Sequence, residues 1–377
     1  MEETKNESAA EKKSELLSMS YDELTELLAG IGEPKYRVSQ IFPQLHRGIA
    51  PEEMTNISKK TARAISEKAE YRLPEIELKL VSAIDGTVKY LFRLGDGNCI
   101  ETVLMRYRHG NTVCVSSQVG CRMGCAFCAS TIGGKIRDLS AGEILGQIIA
   151  VTKDSGERVD NIVMMGIGEP MDNYDNVLKF LKLVNDERGI CIGYRHISLS
   201  TCGHADGIRK LAAEKLPITL SLSLHAHDDA TRSRIMPVNR RWPLAEVLDA
   251  CREYRDATGR RISFEYTLIE GQNCTTEDAA ALAGMLNGAL RKGTAYPIHV
   301  NLIPVNAVKE TGLRPPEPAD VRKFSEALEK RGIRATVRRT LGPDINASCG
   351  QLRRQTMKDG APAPTSGKAT EERKATE

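Results

Sequence analysis

The spacing of apolar residues divides the chain into three stretches. From Ser20, YDELTELLAGIGEPKYRVSQIFPQLH carries an apolar residue every three to four positions, with a break from Gly30 to Pro34. Met54 to Ala69 repeats the pattern, so a small helical module is expected over 17–72. IELKLVSA, VKYLFRL and CIETVLM then alternate apolar and polar positions around Asp85-Gly86 and Gly95 to Gly97, which predicts a short antiparallel meander over 73–110. Beyond Thr112, six β-rich runs (TVCVS, NIVMMG, HISLST, PITLSLSL, ISFEYTLI and HVNLIPV) alternate with helical patterns near residues 141–153, 173–187, 206–213, 243–258, 276–290 and 317–331. Six strand–helix units imply parallel pairing through right-handed crossovers. A closed eight-unit barrel needs two more, so the expected fold is α/β, an open six-strand (β/α)6 partial barrel over 111–354 with its ligand site at the C-terminal strand ends. The ends, 1–16 and 355–377, have the composition of disordered tails.

Composition narrows the chemistry. The 377 residues, 41% hydrophobic with a net charge of +3, describe a globular chain with no apolar run near the roughly 18 residues of a membrane helix. The N-terminal MEETKNESAAEKKSE has no signal layout, so the expected compartment is the cytoplasm and no membrane partner is expected. In a reducing cytosol, clustered cysteines are metal ligands or catalytic thiols more often than disulfide halves. Of the ten cysteines, Cys121, Cys125 and Cys128 form C-x-x-x-C-x-x-C within GCRMGCAFCAS, just past the first core strand. Three close thiolates call for a soft metal. Structural zinc takes four protein ligands and no fourth Cys or His lies in the loop, whereas three cysteines on a [4Fe-4S] cluster leave one iron open. Spacing alone also allows zinc completed by a distant residue, or unligated core cysteines. Phe127, just before the last cysteine, is placed to shield a cluster from water.

The motifs CVSSQVGCRMGCAFCAS, MMGIGEPMDNYDNV, HISLST, SLSLHA, MPVN, VNLIPVN and DINASCGQL together resemble the radical S-adenosylmethionine (SAM) superfamily and, within it, the RlmN/Cfr family of adenine RNA methyltransferases, from about Ser20 to Arg354. The resemblance implies a [4Fe-4S] cluster on the three cysteines and two SAM molecules per turnover. It also implies that Gly168 and Glu169 grip the SAM amino group and that Ser200, Ser223, Leu224, His225 and Asn306 complete the SAM site. Read as residues, the GxG glycines let backbone approach a ligand, and the others are mainly short polar groups at strand ends. His204, His227 and His299 receive no role, and Trp242 reads as a helix-entry staple.

Adenine C2 is electrophilic, so ordinary methyl transfer does not reach it and a radical carrier is needed. The resemblance implies that Cys349 takes a methyl group from one SAM. A second SAM, cleaved at the reduced cluster, gives a 5′-deoxyadenosyl radical that activates the methyl, and Cys114 resolves the protein–RNA crosslink, leaving a Cys114–Cys349 disulfide. Glu101 is the implied proton acceptor. Without the resemblance, Cys114 reads as a small buried hydrophobe, Cys349 as equally inert or reactive, and Glu101 as a surface carboxylate. Cys99, Cys191, Cys202, Cys251 and Cys274 read as packing residues.

The implied substrate is adenosine C2 in 23S rRNA, at the peptidyl-transferase centre, and in tRNA, next to the anticodon. Cfr-like C8 methylation is the alternative within the class, and a non-catalytic zinc- and RNA-binding module the alternative outside it. An electron donor such as flavodoxin or ferredoxin and a monomeric state complete the expectation. A charge of +3 is mild for RNA binding, so local basic groups are expected to serve: Arg106, Arg108 and His109; Lys135 and Arg137; Arg232, Arg234, Arg240 and Arg241; Arg334, Arg338 and Arg339, together with the N-terminal module. The target adenine has to be flipped or already unstacked. Leu341, where the family usually has Arg, and Pro343 and Cys202 are departures.

Overall fold

The structure, a computed structural model, describes residues 13–291, 296–306, 311–351 and 370–371. Helices α1 (Tyr21–Gly30), α2 (Arg37–Leu45) and α3 (Lys59–Lys68) make the N-terminal module. A capping box of Ser20 and Glu23 starts α1, and its buried Leu24 and Leu28 share one core with Val38, Ile41, Phe42 and Leu45 of α2. Part of the stretch read as an N-terminal tail is structured. Ser14–Glu15 pairs in parallel with Ala69–Glu70, Leu16 and Leu17 are buried, and Glu15 accepts hydrogen bonds from Ser18 Oγ and Ser140 Oγ at 2.5 Å. Residues 1–12 lie outside the described residues.

The meander is β1 (Glu75–Val81), β2 (Val88–Arg93) and β3 (Cys99–Tyr107), all antiparallel. Next comes β4 (Gly110–Cys114), antiparallel to β3 on one side with Val103 opposite Cys114, and on its other side parallel to β5 (Asn161–Met164). The parallel series continues through β6 (Ile197–Thr201), β7 (Thr219–Ser223), β8 (Ile262–Leu268) and β9 (His299–Pro304). All six expected core strands are present. A seventh, β10 (Arg334–Val337), adds to the far edge alongside β9. Meander and parallel strands thus form one open sheet, with Thr370–Glu371, inside the stretch read as a C-terminal tail, pairing with β1 at the other edge.

Helices α4 (Ala141–Ser155), α5 (Tyr174–Asn185), α6 (Ala205–Glu214), α8 (Leu244–Thr258), α9 (Thr276–Leu290) and α10 (Pro318–Glu329) occupy the expected crossovers, and the short α7 (Asp229–Ile235) is additional. Local chemistry sets their ends: Ser140 with Glu143 caps α4, whose C-terminus closes on left-handed Gly156, and Thr275 with Asp278 caps α9. A single apolar core runs from the N-terminal helices to the sheet. The N-terminal module packs against this helical layer, with Gly142 N–H donating to Ser18 Oγ and Lys179 paired with Glu23. Among the described residues no helix is long and apolar enough to cross a membrane.

Candidate active site

The C-terminal ends of the parallel strands surround a cavity of about 950 Å³. Cys121, Cys125 and Cys128 all line it. Their loop is fixed from two sides: Ala126 N–H donates to Ile235 O at the end of α7 (2.9 Å), and Ala129 N–H donates to Gly350 O (2.7 Å). Burial pushes the Cys121 thiol up to about 12 and raises those of Cys125 and Cys128, the other two thiols adding to the effect at Cys125. The three are therefore held as thiols until a cationic group displaces their protons. Three thiols lining one cavity are a soft donor set, suited to a sulfur-ligated metal group.

The same cavity carries most of the expected SAM residues. Glu169 is buried and accepts from the N–H groups of Met171 (3.1 Å) and Cys202 (2.8 Å), while burial raises its pKa. The preceding glycines also have a steric reason within the fold. A Cβ on Gly166 would lie 2.7 Å from Val115 O, and one on Gly168, where φ is +110°, 2.6 Å from Gln118 Cβ. They admit the neighbouring backbone and side chain as well as edging the cavity. Ser200 and Ser223 line the cavity with their hydroxyls 3.4 Å apart. Leu224 does not: its side chain is fully buried in the core, and its N–H donates to Glu265 O.

His225 has φ +61° and is locked in place. Its Nδ1 accepts from Thr267 N–H (2.9 Å), its carbonyl from Asn273 Nδ2 (2.8 Å), and Phe127 meets its ring edge-on at 4.8 Å. Burial lowers its pKa to about 3, so the ring is neutral with its proton on Nε2. Phe127 thus sits at the cysteine loop as expected, held against a rigid partner.

Cys349 lies between the cysteine loop and Cys114. Its carbonyl accepts from Asn306 Nδ2 (2.8 Å), its neighbour Gly350 holds the cysteine loop, and Ile345 and Ala347 share an apolar cluster with Cys114, Val103 and Met105. Cys114 is buried, and its thiol is pushed up to about 12 by burial and by the proximity of Cys349. Side chains of the meander tether this loop. Ser82 Oγ (2.7 Å) and Ala83 N–H (2.9 Å) donate to the Asp344 carboxylate, Gly342 N–H donates to Asp85 (3.0 Å), and Lys89 Nζ reaches Asn346 O (3.4 Å). Lys89 also pairs with Glu101 at 3.2 Å. Glu101 is buried rather than a surface carboxylate, on the face of β3 shared with Val103, which stands opposite Cys114. It does not line the main cavity.

Several residues were given the wrong surroundings by sequence. Arg338, grouped with basic RNA contacts, has its guanidinium 3.5 Å from both Glu265 and Met165 Sδ, and lines the cavity beside Cys349. Arg232, placed in the same class, is fully buried and cannot meet RNA. Cys202, assigned to packing, is indeed buried in an apolar cluster with Cys121 and Met123, and it also edges the cavity next to Glu169. Arg106 and Arg137 are engaged with carboxylates, Glu157 in one case and Asp96 with Glu143 in the other, whereas Arg108, Arg234, Arg240, Arg241, Arg334 and Arg339 are exposed. Leu341 lines a second recess of about 400 Å³ on the other side of Cys349, with Tyr107 and Arg339. Trp242 is buried against His204, which itself caps α6 by accepting from Gly207 N–H.

Residues 14–71 match the ribosomal RNA large subunit methyltransferase N-terminal domain, and residues 115–283 the radical SAM superfamily. A probable dual-specificity RNA methyltransferase RlmN from Alkaliphilus oremlandii is 49% identical over 349 residues, covering 92% of this chain and 100% of its own length. The chain belongs to the RlmN family of radical SAM RNA methyltransferases. Another RlmN relative, from Symbiobacterium thermophilum, is 50% identical and covers 91% of this chain and 92% of itself. A crystal structure of a radical SAM methyltransferase from Sphaerobacter thermophilus aligns with a TM-score of 0.84 at 40% identity, covering 90% of this chain and 99% of that one. Membership of the RlmN family brings a [4Fe-4S] cluster and SAM, and the residues fit both: three cavity-lining thiols for the first, and a buried carboxylate with strand-end hydroxyls for the second.

Proposed function

We propose that this chain methylates C2 of adenosine in 23S rRNA and in tRNA, with Cys349 as the methyl carrier and Cys114 as the resolving thiol. The observation that supports this most directly is the position of Cys349, hydrogen-bonded through its neighbour to the cysteine loop on one side and packed through Ala347 toward Cys114 on the other. The cluster and SAM, when bound, supply the methyl group and the radical that activates it. Cys121, Cys125 and Cys128 would hold the cluster. Glu169 would bind the SAM amino group, with Ser200, Ser223 and the Nε2–H of His225 as donors to its oxygens; Leu224 would contribute backbone at most. Asn306 already donates to Cys349 O, so it would join the SAM site to the carrier loop.

After carbon transfer, Cys114 would lose its proton as its sulfur attacks Cys349 Sγ; the S–S bond forms as the C–S bond breaks, the C–S electron pair stays on the transferred carbon, which takes up a proton to become the methyl group, and the disulfide awaits a two-electron reductant. Glu101, held by Lys89, would accept the C2 proton. The exposed arginines near the strand ends and the N-terminal module would bind the RNA. A cytoplasmic monomer served by a flavodoxin- or ferredoxin-like donor and two SAM per turnover completes the reading. Anaerobic turnover on an rRNA fragment, with mass spectrometry and NMR of the released nucleoside, tests it: 2-methyladenosine is expected. 8-Methyladenosine would make the enzyme Cfr-like, and tightly bound zinc without iron would remove the radical reading altogether.

A further inference from the structure

Among the described residues Arg232 is the largest fully buried side chain, at 0% exposure. Its guanidinium is caged by neutral acceptors: Nη2 donates to Cys202 O (2.7 Å) and Ser223 O (3.1 Å), Nε to Leu224 O (3.0 Å) and Nη1 to Asn239 Oδ1 (2.9 Å). Among the described residues no carboxylate lies within ion-pair distance of it. The cage satisfies its hydrogen bonds with neutral groups, and one carboxylate, Asp229, reaches it only through Asn239, whose Nδ2 donates to Asp229 Oδ1 (2.9 Å), so the buried charge is only partly offset from within the protein.

Its location suggests what compensates the charge. Cys202 and Ser223 are cavity-lining residues, so Arg232 stands directly behind that wall. Its own helix, α7, ends at Ile235, whose carbonyl holds the cysteine loop at Ala126, next to Cys125. Cys202 also packs in one cluster with Cys121 and Met123. A [4Fe-4S] group on three thiolates is anionic as bound and gains a further negative charge on one-electron reduction. A fixed cation in this low-dielectric wall attracts the reduced form more strongly than the oxidised form.

We propose that Arg232 is a built-in counter-charge for the cluster carried by Cys121, Cys125 and Cys128, raising the potential at which that cluster accepts an electron. The inference rests on the cluster occupying those thiols. It makes Arg232 a positioning and tuning residue with no contact to substrate.

The test is an anaerobic redox titration of the reconstituted protein, following the reduced-cluster EPR signal, for wild type, Arg232→Lys and Arg232→Gln. Iron and sulfide are quantified first in the wild type; a protein that binds neither refutes the cluster assignment itself and with it this inference. With the cluster loaded, Arg232→Gln is expected to hold about tenfold less reduced cluster at a fixed potential, equivalent to about 59 mV for one electron, and Arg232→Lys to stay near wild type. A latch that only ties the ends of β6 and β7 together would lower the melting temperature and leave the midpoint where it was, and that result overturns the proposal. If Arg232→Gln does not fold, Arg232→Met decides: it fills a similar volume with no charge and no buried polar atom, so a lowered midpoint supports the counter-charge and an unchanged one overturns it.

Discussion

The two walls of the cavity are built differently. The cysteine-loop and SAM wall is fastened by groups buried within the parallel sheet: Glu169 bridges the loop after β5 to Cys202, His225 is bolted to β8 through Thr267 and Asn273, and Arg232 laces the ends of β6 and β7. The Cys349 wall is a loop past the last strand, held from outside by a few hydrogen bonds from the meander, by Asn306 and by the small apolar cluster around Ile345 and Ala347. One wall is a product of the fold and cannot shift without disturbing the sheet. The other is tethered at a few polar points, which suits the two-sided role proposed for Cys349.

The sharpest break in this comparison is on the fixed wall. Cys125→Ala is expected to abolish both cluster loading and methylation, with iron content and absorbance near 400 nm as the measurements, and to leave the Cys349 loop's hydrogen-exchange protection in place. Next comes the tethered side: Cys114→Ala should load a cluster normally but stop after one event, leaving a covalent protein–RNA adduct through Cys349 on a denaturing gel. Released, unmodified RNA from that variant would take Cys114 out of the reaction. Asp344→Ala removes the clasp without touching either thiol. It should speed exchange over 342–351 and lower kcat by about 10- to 100-fold through misplacement of the carrier, at an order of 2 kcal/mol in stability, while the cluster spectrum stays unchanged. The smallest effect is on acid stability. His225 has a folded pKa near 3 against an ordinary 6.5, so between those values the unfolded chain binds a proton that the folded chain does not. Its contribution is complete above pH 6.5 and falls as pH drops toward 3, by about 1.4 kcal/mol per pH unit. His225→Gln should flatten that slope in urea midpoints measured from pH 6.5 to 4.5.

The two walls also differ in how well they could be read from sequence. The strands behind the fixed wall announce themselves, since TLSLS and ISFEYTL bury their apolar residues almost completely. β10 does not, because RATV is an edge strand with three of its four residues exposed and no face to pattern. α7 is too short to show a period, at seven residues. The triad, GIGEP and the strand-end hydroxyls were legible as a motif set, but their mechanics were not: the steric need for Gly166 and Gly168 comes from Val115, Ser116 and Gln118, some fifty positions earlier in the chain. Charge misled most. Arg232, Arg338 and Glu101 all look like surface groups by type, and each is enclosed through partners that sequence does not place beside it: backbone carbonyls, Glu265 and Lys89. The asparagine and aspartate tethers of the Cys349 loop were invisible for the same reason, since Ser82 and Asp344 are 262 positions apart.

That separation along the chain sets an order of manufacture. The cysteine loop is made early in the core and its roof very late, more than two hundred residues afterwards. At about 5–20 residues per second on a ribosome, the interval is of the order of 10 s or more. During it the three thiols face a chamber with one side missing, and the chamber closes only when Cys349 and Gly350 arrive to dock on Asn306 and Ala129. The last piece of the core to be made is the one that completes the room.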